Sequence, residues 1–277
     1  MKNLYEQVEE TVEFLQSVTD FKPKYGIILG TGLNKLADDV EVITTIKYKD
    51  IINFPISTVQ SHKGELIFGT LEGIPIVAMA GRFHYYEGYS MTEVTFPVRV
   101  LKMLGIERLF ISNVSGSTNE NIHAGDVVFV KDHINLQPEN PLRGVNDERL
   151  GPRFPDMLKT YDADLNAKAM EIAAASDIRA HTGVYVSLPG PNLETPAEYT
   201  FLHRIGGDIV GMSTVPEVLV ARHSGLPIFV LSVVSNQSYP PEKIVEVTVD
   251  EVIALANSVQ PKMTFIVKEL LKHLEEV

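Results

Sequence analysis

Residues 65–93 read ELIFGTLEGIPIVAMAGRFHYYEGYSMTE. Two apolar arms flank Glu72-Gly73, a dipeptide suited to tight reversal, so the stretch is expected to form a β-hairpin. Its second arm ends on Arg82, His84, Tyr85, Tyr86 and Glu87; Ser90 and Glu93 then spell a capping box for a helix closing near Gly105. One polar residue after a strand is an ordinary solvated turn. A cluster of them is different: Arg offers a rigid fork, His a donor, and Tyr a flat face with a hydroxyl tip, a set suited to a small anion carrying a ring.

The same order of strand, polar loop and capped helix recurs on both sides. Leu4, Val8, Val12, Leu15 and Val18 fall at helical spacing, and FKPKYGIILGTGLN (21–34) runs a short strand into a glycine turn. RLFISN (108–113) reads as a strand emptying into VSGSTN, DVVFVKD (126–132) as another, and TGVYVS (182–187) leads to LPGPNLETPAE. Thr195 and Glu198 form a second capping box with Pro196 at the first helical position, which places Glu194 just outside the helix. Thr214 and Glu217 spell a third box after DIVGM, PIFVLSVVSN ends at Asn236, and Thr248 with Glu251 opens a long C-terminal helix with a possible kink site at Pro261. The expectation is an α/β fold spanning 1–277 as one domain, with a mixed twisted central sheet flanked by helices and the ligand outside the carboxyl ends of the strands. Residues 131–160, rich in Pro, Gly and Asn, are expected to be a long ordered loop acting as a lid or an interface.

Composition narrows the function. A net charge of −12 argues against a general positive field for nucleic acid or acidic lipid, so any anion must be held locally. With no cysteine, thiolate metal sites and cysteine nucleophiles are excluded, and a cytoplasmic location is expected. Glu6, Glu9 and Glu10 make the N-terminus an amphipathic helix and not a signal peptide, while apolar runs such as LPIFVLSVV are about half of a membrane span. The eight histidines lack helical metal-ligand spacing, so no metal is expected; His133, His181, His203, His223 and His273 are read as structural or exposed.

Gly30-Thr31-Gly32 follows a strand, yet Lys35 occupies the third glycine position of a dinucleotide fingerprint, leaving only a turn whose backbone NH groups and Thr31 hydroxyl can approach an anion. Glu194 alone is explained by the helix dipole, and Asn236 alone by turn formation. Together they pair a carboxylate with a carboxamide at neighbouring strand ends, able to read the edge of a heterocycle while Thr31, Arg82, His84 and Ser213 hold an anion.

These motifs resemble the trimeric purine nucleoside phosphorylases of the 6-oxopurine-preferring branch. The likeness runs from about Tyr25 to the C-terminal helix and rests on GRFHYYEGYS, NPLRGVNDERLGPRFP, GPNLETPAE and GMSTVPEVLVARHSGL, in that order. It implies reversible phosphorolysis of inosine and guanosine nucleosides, without a cofactor because inorganic phosphate is the co-substrate. By position it implies phosphate contacts from Thr31, His62, Arg82, His84, Val114 and Ser213, and ribose contacts from Tyr86, Met212 and Val249. Base contacts fall to Ser115, Gly116, Leu193, Glu194 and Asn236, with Glu194, Asn236 and His84 as the catalytic set. A homotrimer is implied as well, with Leu150 reaching a neighbouring subunit's sugar pocket.

The chain departs from that family at three kinds of position. Ser117 replaces a glycine in Asn113-Val114-Ser115-Gly116-Ser117, and Leu150 and Leu193 replace aromatic residues. Val249 stands where many members carry a histidine for the ribose 5′-hydroxyl, which suits a 5′-deoxy substrate such as methylthioadenosine. Two other classes compete: a nucleoside hydrolase, which would not need an anion site, and a silent nucleoside-binding protein, which would bind without turnover.

Overall fold

A computed structural model of the chain describes residues 2–30, 34–58 and 63–276. Thr31 and His62, two expected phosphate contacts, lie outside the described residues. Helix α1 (Leu4–Val18) opens on an Asn3/Glu6 capping box and buries Val8, Val12 and Leu15, while Val18 at its end stays exposed.

Strand β1 (Tyr25–Leu29) is buried at every position, as a strand covered on both faces must be. The hairpin stands: β3 (Glu65–Leu71) and β4 (Ile74–Ala80) pair antiparallel, with Leu71 opposite Ile74. Glu72 and Gly73 take φ of 54° and 76°, the left-handed pair that lets a two-residue turn follow the twist of its strands. Strand β2 (Glu41–Lys47) pairs antiparallel outside β3, and β1 lies between β4 and β5 (Arg108–Ser117), parallel to both.

Strand β5 is the hub. The sequence places its end at Asn113, but it continues to Ser117 because β9 (Ile228–Gln237) pairs with it in parallel and β8 (Ile209–Gly211) pairs with Gly116 and Ser117. Those distant strands satisfy the backbone groups of a segment that reads locally as a loop. From β8 the sheet passes through β7 (Ala180–Ser187) and β6 (Val127–Asn135) to β9, so β5, β8, β7, β6 and β9 close a ring with β1, β4, β3 and β2 as a wing. The barrel-like part of the expected sheet is this ring. Strand β6 also claims residues 131–135 from the expected long loop, which therefore begins after Asn135.

Alternate strand residues supply two cores. Ile28, Val77, Leu109 and Val230 pack on one side under α1, α2 (Met91–Met103) and α5 (Val215–His223). Ile27, Ala78, Phe110 and Phe229 pack on the other under α3 (Ala163–Ala175) and α6 (Val249–Glu276). Because successive side chains face opposite ways, both cores demand apolar residues, which explains the unbroken apolar runs in sequence. Pro261 lies inside α6, which continues past it. No helix among the described residues is long and apolar enough to cross a membrane.

Candidate active site

The loops at the strand ends enclose a cavity of about 400 Å³. Arg82, just after β4, is only 2% exposed on its wall. Its Nη1 donates to Ser213 Oγ at 3.0 Å, Thr214 Oγ1 at 3.2 Å and the Ser112 carbonyl at 3.2 Å, while Nη2 meets Glu217 Oε1 at 2.9 Å.

Glu217 corrects the third expected capping box. Thr214 makes no side-chain cap bond; it sits at φ 73°, ψ −56°, and the Val215 NH donates to the Ser213 carbonyl at 2.8 Å. This is the positive-φ γ-turn, a strained form costing on the order of 1–3 kcal/mol. Its hydroxyl accepts from Arg82 and, at 2.9 Å, from Asn113 Nδ2, so the buried network around the guanidinium holds the turn. A buried charge needs a counter-charge, and that need draws Glu217 away from the helix end.

His84 is fixed by Glu87, whose Oε1 accepts from the His84 backbone NH at 2.8 Å and lies 2.9 Å from Nδ1. Burial opposes the Glu87 charge, but hydrogen bonds from His84 and Thr58 outweigh it and bring its pKa to about 2. An ionised carboxylate only accepts, so the hydrogen of the His84 ring is placed on Nδ1. Tyr86 stacks on His84 with centroids 4.7 Å apart, and burial pushes its phenol up to about 12.

A second group of polar residues on the same cavity wall comes from α4 (Pro196–Arg204) and the end of β9. The Thr195/Glu198 box forms as expected and leaves Glu194 immediately before the cap. Burial raises the Glu194 pKa. Asn236 Nδ2 donates to Ser238 Oγ at 2.8 Å, and its Oδ1 accepts from Ser235 Oγ at 2.7 Å. Burial pushes the Tyr199 phenol to about 12.

Val114, Gly116, Leu193, Met212 and Val249 also reach this cavity. Ser115 contributes to the wall, but its hydroxyl is turned inward to Ser232 Oγ at 2.7 Å, which leaves it unsuited to reading a base through that group. Ser117 takes ordinary strand geometry opposite Ile209 and Gln237, so this position needs no glycine. Leu150 is elsewhere, in a surface groove beside His223 at the end of α5. Among the described residues no group of three or more His, Asp or Glu could hold a metal ion.

Several cavity or supporting residues escaped the sequence reading: Glu217, Thr214, Tyr199, Ser235 and Ser238. Only Tyr199 carried a usable signal. It is the fourth residue of a capped helix, and that position characteristically meets the residue before the cap, here Glu194.

Residues 24–272 match the Phosphorylase superfamily, and the chain belongs to that family. Among its relatives, "Purine nucleoside phosphorylase 1" of Bacillus subtilis is 47% identical over 250 residues, covering 88% of this chain and 92% of that one. The protein of the same name from Geobacillus stearothermophilus is 46% identical over 269 residues, covering 96% and 97%. A crystal structure of isoform 2 of purine nucleoside phosphorylase from Schistosoma mansoni, in complex with cytosine and ribose-1-phosphate, superposes with a TM-score of 0.92 at 40% identity, covering 96% of each chain.

Proposed function

We propose that this chain catalyses the reversible phosphorolysis of purine ribonucleosides and deoxyribonucleosides, chiefly inosine and guanosine, to the free base and the α sugar 1-phosphate. One observation carries the reading: a single cavity of about 400 Å³ joins the Arg82, His84 and Ser213 cluster to the Glu194 and Asn236 pair. Breaking the glycosidic bond leaves positive charge on the sugar and negative charge on the departing purine. An anion held beside the sugar, with donors at the base edge, therefore stabilises the transition state more than the substrate.

Phosphate is assigned to Arg82, His84, Ser213 and the Val114 backbone, with Thr31 and His62 expected to join them. It acts as nucleophile and electrostatic partner, and no metal or cofactor takes part. Tyr86 and Met212 meet the ribose. Ionised Glu194 accepts from N1-H of a 6-oxopurine, and the Asn236 amide faces N7 and O6; adenine would present a lone pair to the carboxylate. The relatives' names support the reaction class, and Schistosoma homologues solved with inosine, guanosine and adenosine support purine nucleosides as the substrate class.

We assign the working unit as a homotrimer, supported by the exposed apolar side chains of Val145, Phe154 and Leu158 on the loop that carries Leu150. Light scattering that reports a monomer rejects that assignment. A second reading, relaxed recognition at the 5′ position, is favoured by Val249, which stands on the cavity beside Val247 and Val252.

The decisive experiment is hypoxanthine release from inosine with and without phosphate, coupled to an assay for ribose 1-phosphate. Release that requires phosphate and yields the sugar phosphate is expected. Release without phosphate makes the enzyme a hydrolase. Binding without release makes it a silent receptor.

A further inference from the structure

The hydroxyl groups beneath the anion cluster form a chain with a fixed direction. Thr214, between β8 and α5, is fully buried, and its Oγ1 has three neighbours: Asn113 Nδ2 at 2.9 Å, Arg82 Nη1 at 3.2 Å and Ser213 Oγ at 3.1 Å. The two nitrogens only donate, so they fill both lone pairs of the oxygen. The single Thr214 hydrogen is left with Ser213 Oγ. That oxygen also receives Arg82 Nη1 at 3.0 Å, which fills its lone pairs in turn. The Ser213 hydrogen finds no acceptor among the described residues, and Ser213 stands on the cavity wall.

The direction is set at Asn113. Its Oδ1 is buried without a hydrogen-bond partner among the described residues. Turning the amide round would strand its NH2 there instead, and a stranded buried donor is the rarer arrangement. The Ser213 backbone is held as well: its NH donates to Tyr185 Oη at 3.4 Å, and its carbonyl accepts from Ser187 Oγ at 3.2 Å.

We infer that Thr214 is a positioning residue for the phosphate nucleophile, its hydroxyl donating to Ser213 Oγ and so committing Ser213 to donate into the anion site. The inference rests on the proposed phosphorolysis and deepens it. A serine hydroxyl left to rotate offers an anion a lone pair as readily as a hydrogen. Held by two donors, it offers only the hydrogen; no reorganisation is needed when the anion arrives, and the bonds it accepts make its O–H a stronger donor. The backbone fits this role. A β-branched residue at φ 73° is an outlier, and the strained turn places the Thr214 hydroxyl in the buried network instead of on the end of α5.

The test is a double-mutant cycle between Thr214→Val, which replaces the hydroxyl by a methyl group, and Ser213→Ala, with Thr214→Ser as the variant that keeps the hydroxyl. Each protein is assayed for hypoxanthine release from saturating inosine as phosphate is varied, which gives kcat and KM for phosphate separately. Thr214→Val should raise KM for phosphate about fivefold, the worth of one net hydrogen bond, and Thr214→Ser should hold it within about threefold of the unaltered enzyme. In the Ser213→Ala background, Thr214→Val should change kcat/KM for phosphate by less than about twofold, because the hydroxyl it acts through is gone. A merely structural threonine would lower kcat through loss of active enzyme and leave KM for phosphate unmoved. That result, or an equal effect of Thr214→Val with and without the Ser213 hydroxyl, overturns the inference while leaving the proposed function intact. If Thr214→Val does not fold, Thr214→Ser decides: a KM for phosphate raised beyond about threefold overturns the inference, and one within that bound supports it. Failure of the unaltered enzyme to release hypoxanthine from inosine with phosphate rejects the function itself.

Discussion

Replacing Glu217 by Gln tests the electrostatics beneath the anion site. The carboxylate and the Arg82 guanidinium are 3% and 2% exposed and meet at 2.9 Å. Two unit charges about 4 Å apart attract by about 4 kcal/mol at an effective dielectric of about 20, and removing one partner of a buried pair costs about 3–5 kcal/mol. Gln retains an oxygen for Arg82 and puts an amide nitrogen at Oε2, which has no hydrogen-bond partner among the described residues. The expected loss is therefore about 3 kcal/mol. Phosphate changes the comparison, because a bound anion gives the uncompensated guanidinium the counter-charge it lacks. It should stabilise the variant more than the unaltered protein, and a tenfold gain in phosphate affinity narrows the deficit by about 1.4 kcal/mol. The assay is urea unfolding followed by circular dichroism, at one protein concentration, with phosphate absent and at millimolar levels. A deficit under about 1 kcal/mol, or equal stabilisation of both proteins by phosphate, refutes the view that Glu217 is the counter-ion of a phosphate-binding arginine.

Other perturbations probe single elements. Gly30→Ala should lower stability by about 1–3 kcal/mol, because a Cβ there would lie 2.5 Å from the Ser112 carbonyl oxygen, a backbone atom that cannot move aside cheaply; an unchanged urea midpoint refutes it. Glu87 titrates near 2 when folded against an ordinary 4.5, so its contribution is present above 4.5 and lost as pH falls toward 2. Glu87→Gln should flatten the stability curve across that window, and an identical acid slope would contradict the assignment. Val249→His should raise the preference for inosine over 5′-deoxyinosine about fivefold, the worth of one net hydrogen bond, whereas an unchanged ratio removes Val249 from the ribose end.

Local chemistry made much of the molecule legible in advance. Ser90 with Glu93, Thr195 with Glu198, and Thr248 with Glu251 bond as their spacing implies, because donor and acceptor lie within one helical turn. Likewise, the turn at Glu72-Gly73 needs only neighbouring residues to be understood. The Thr214/Glu217 pair has the same spacing and fails, since the buried charge of Arg82, far away in the chain, draws Glu217 more strongly than one cap bond could. Strand β5 outruns its apparent end because β8 and β9 complete its hydrogen bonds. Tyr199 reads as one more helical aromatic until the fold sets it on the cavity wall with Glu194 and Asn236. Sequence by itself determined the elements and most residue types of the cavity, which depend on bonds a few residues long. Only the tertiary structure decided which buried polar groups must satisfy one another, because burial creates that demand and distant strands supply the partners.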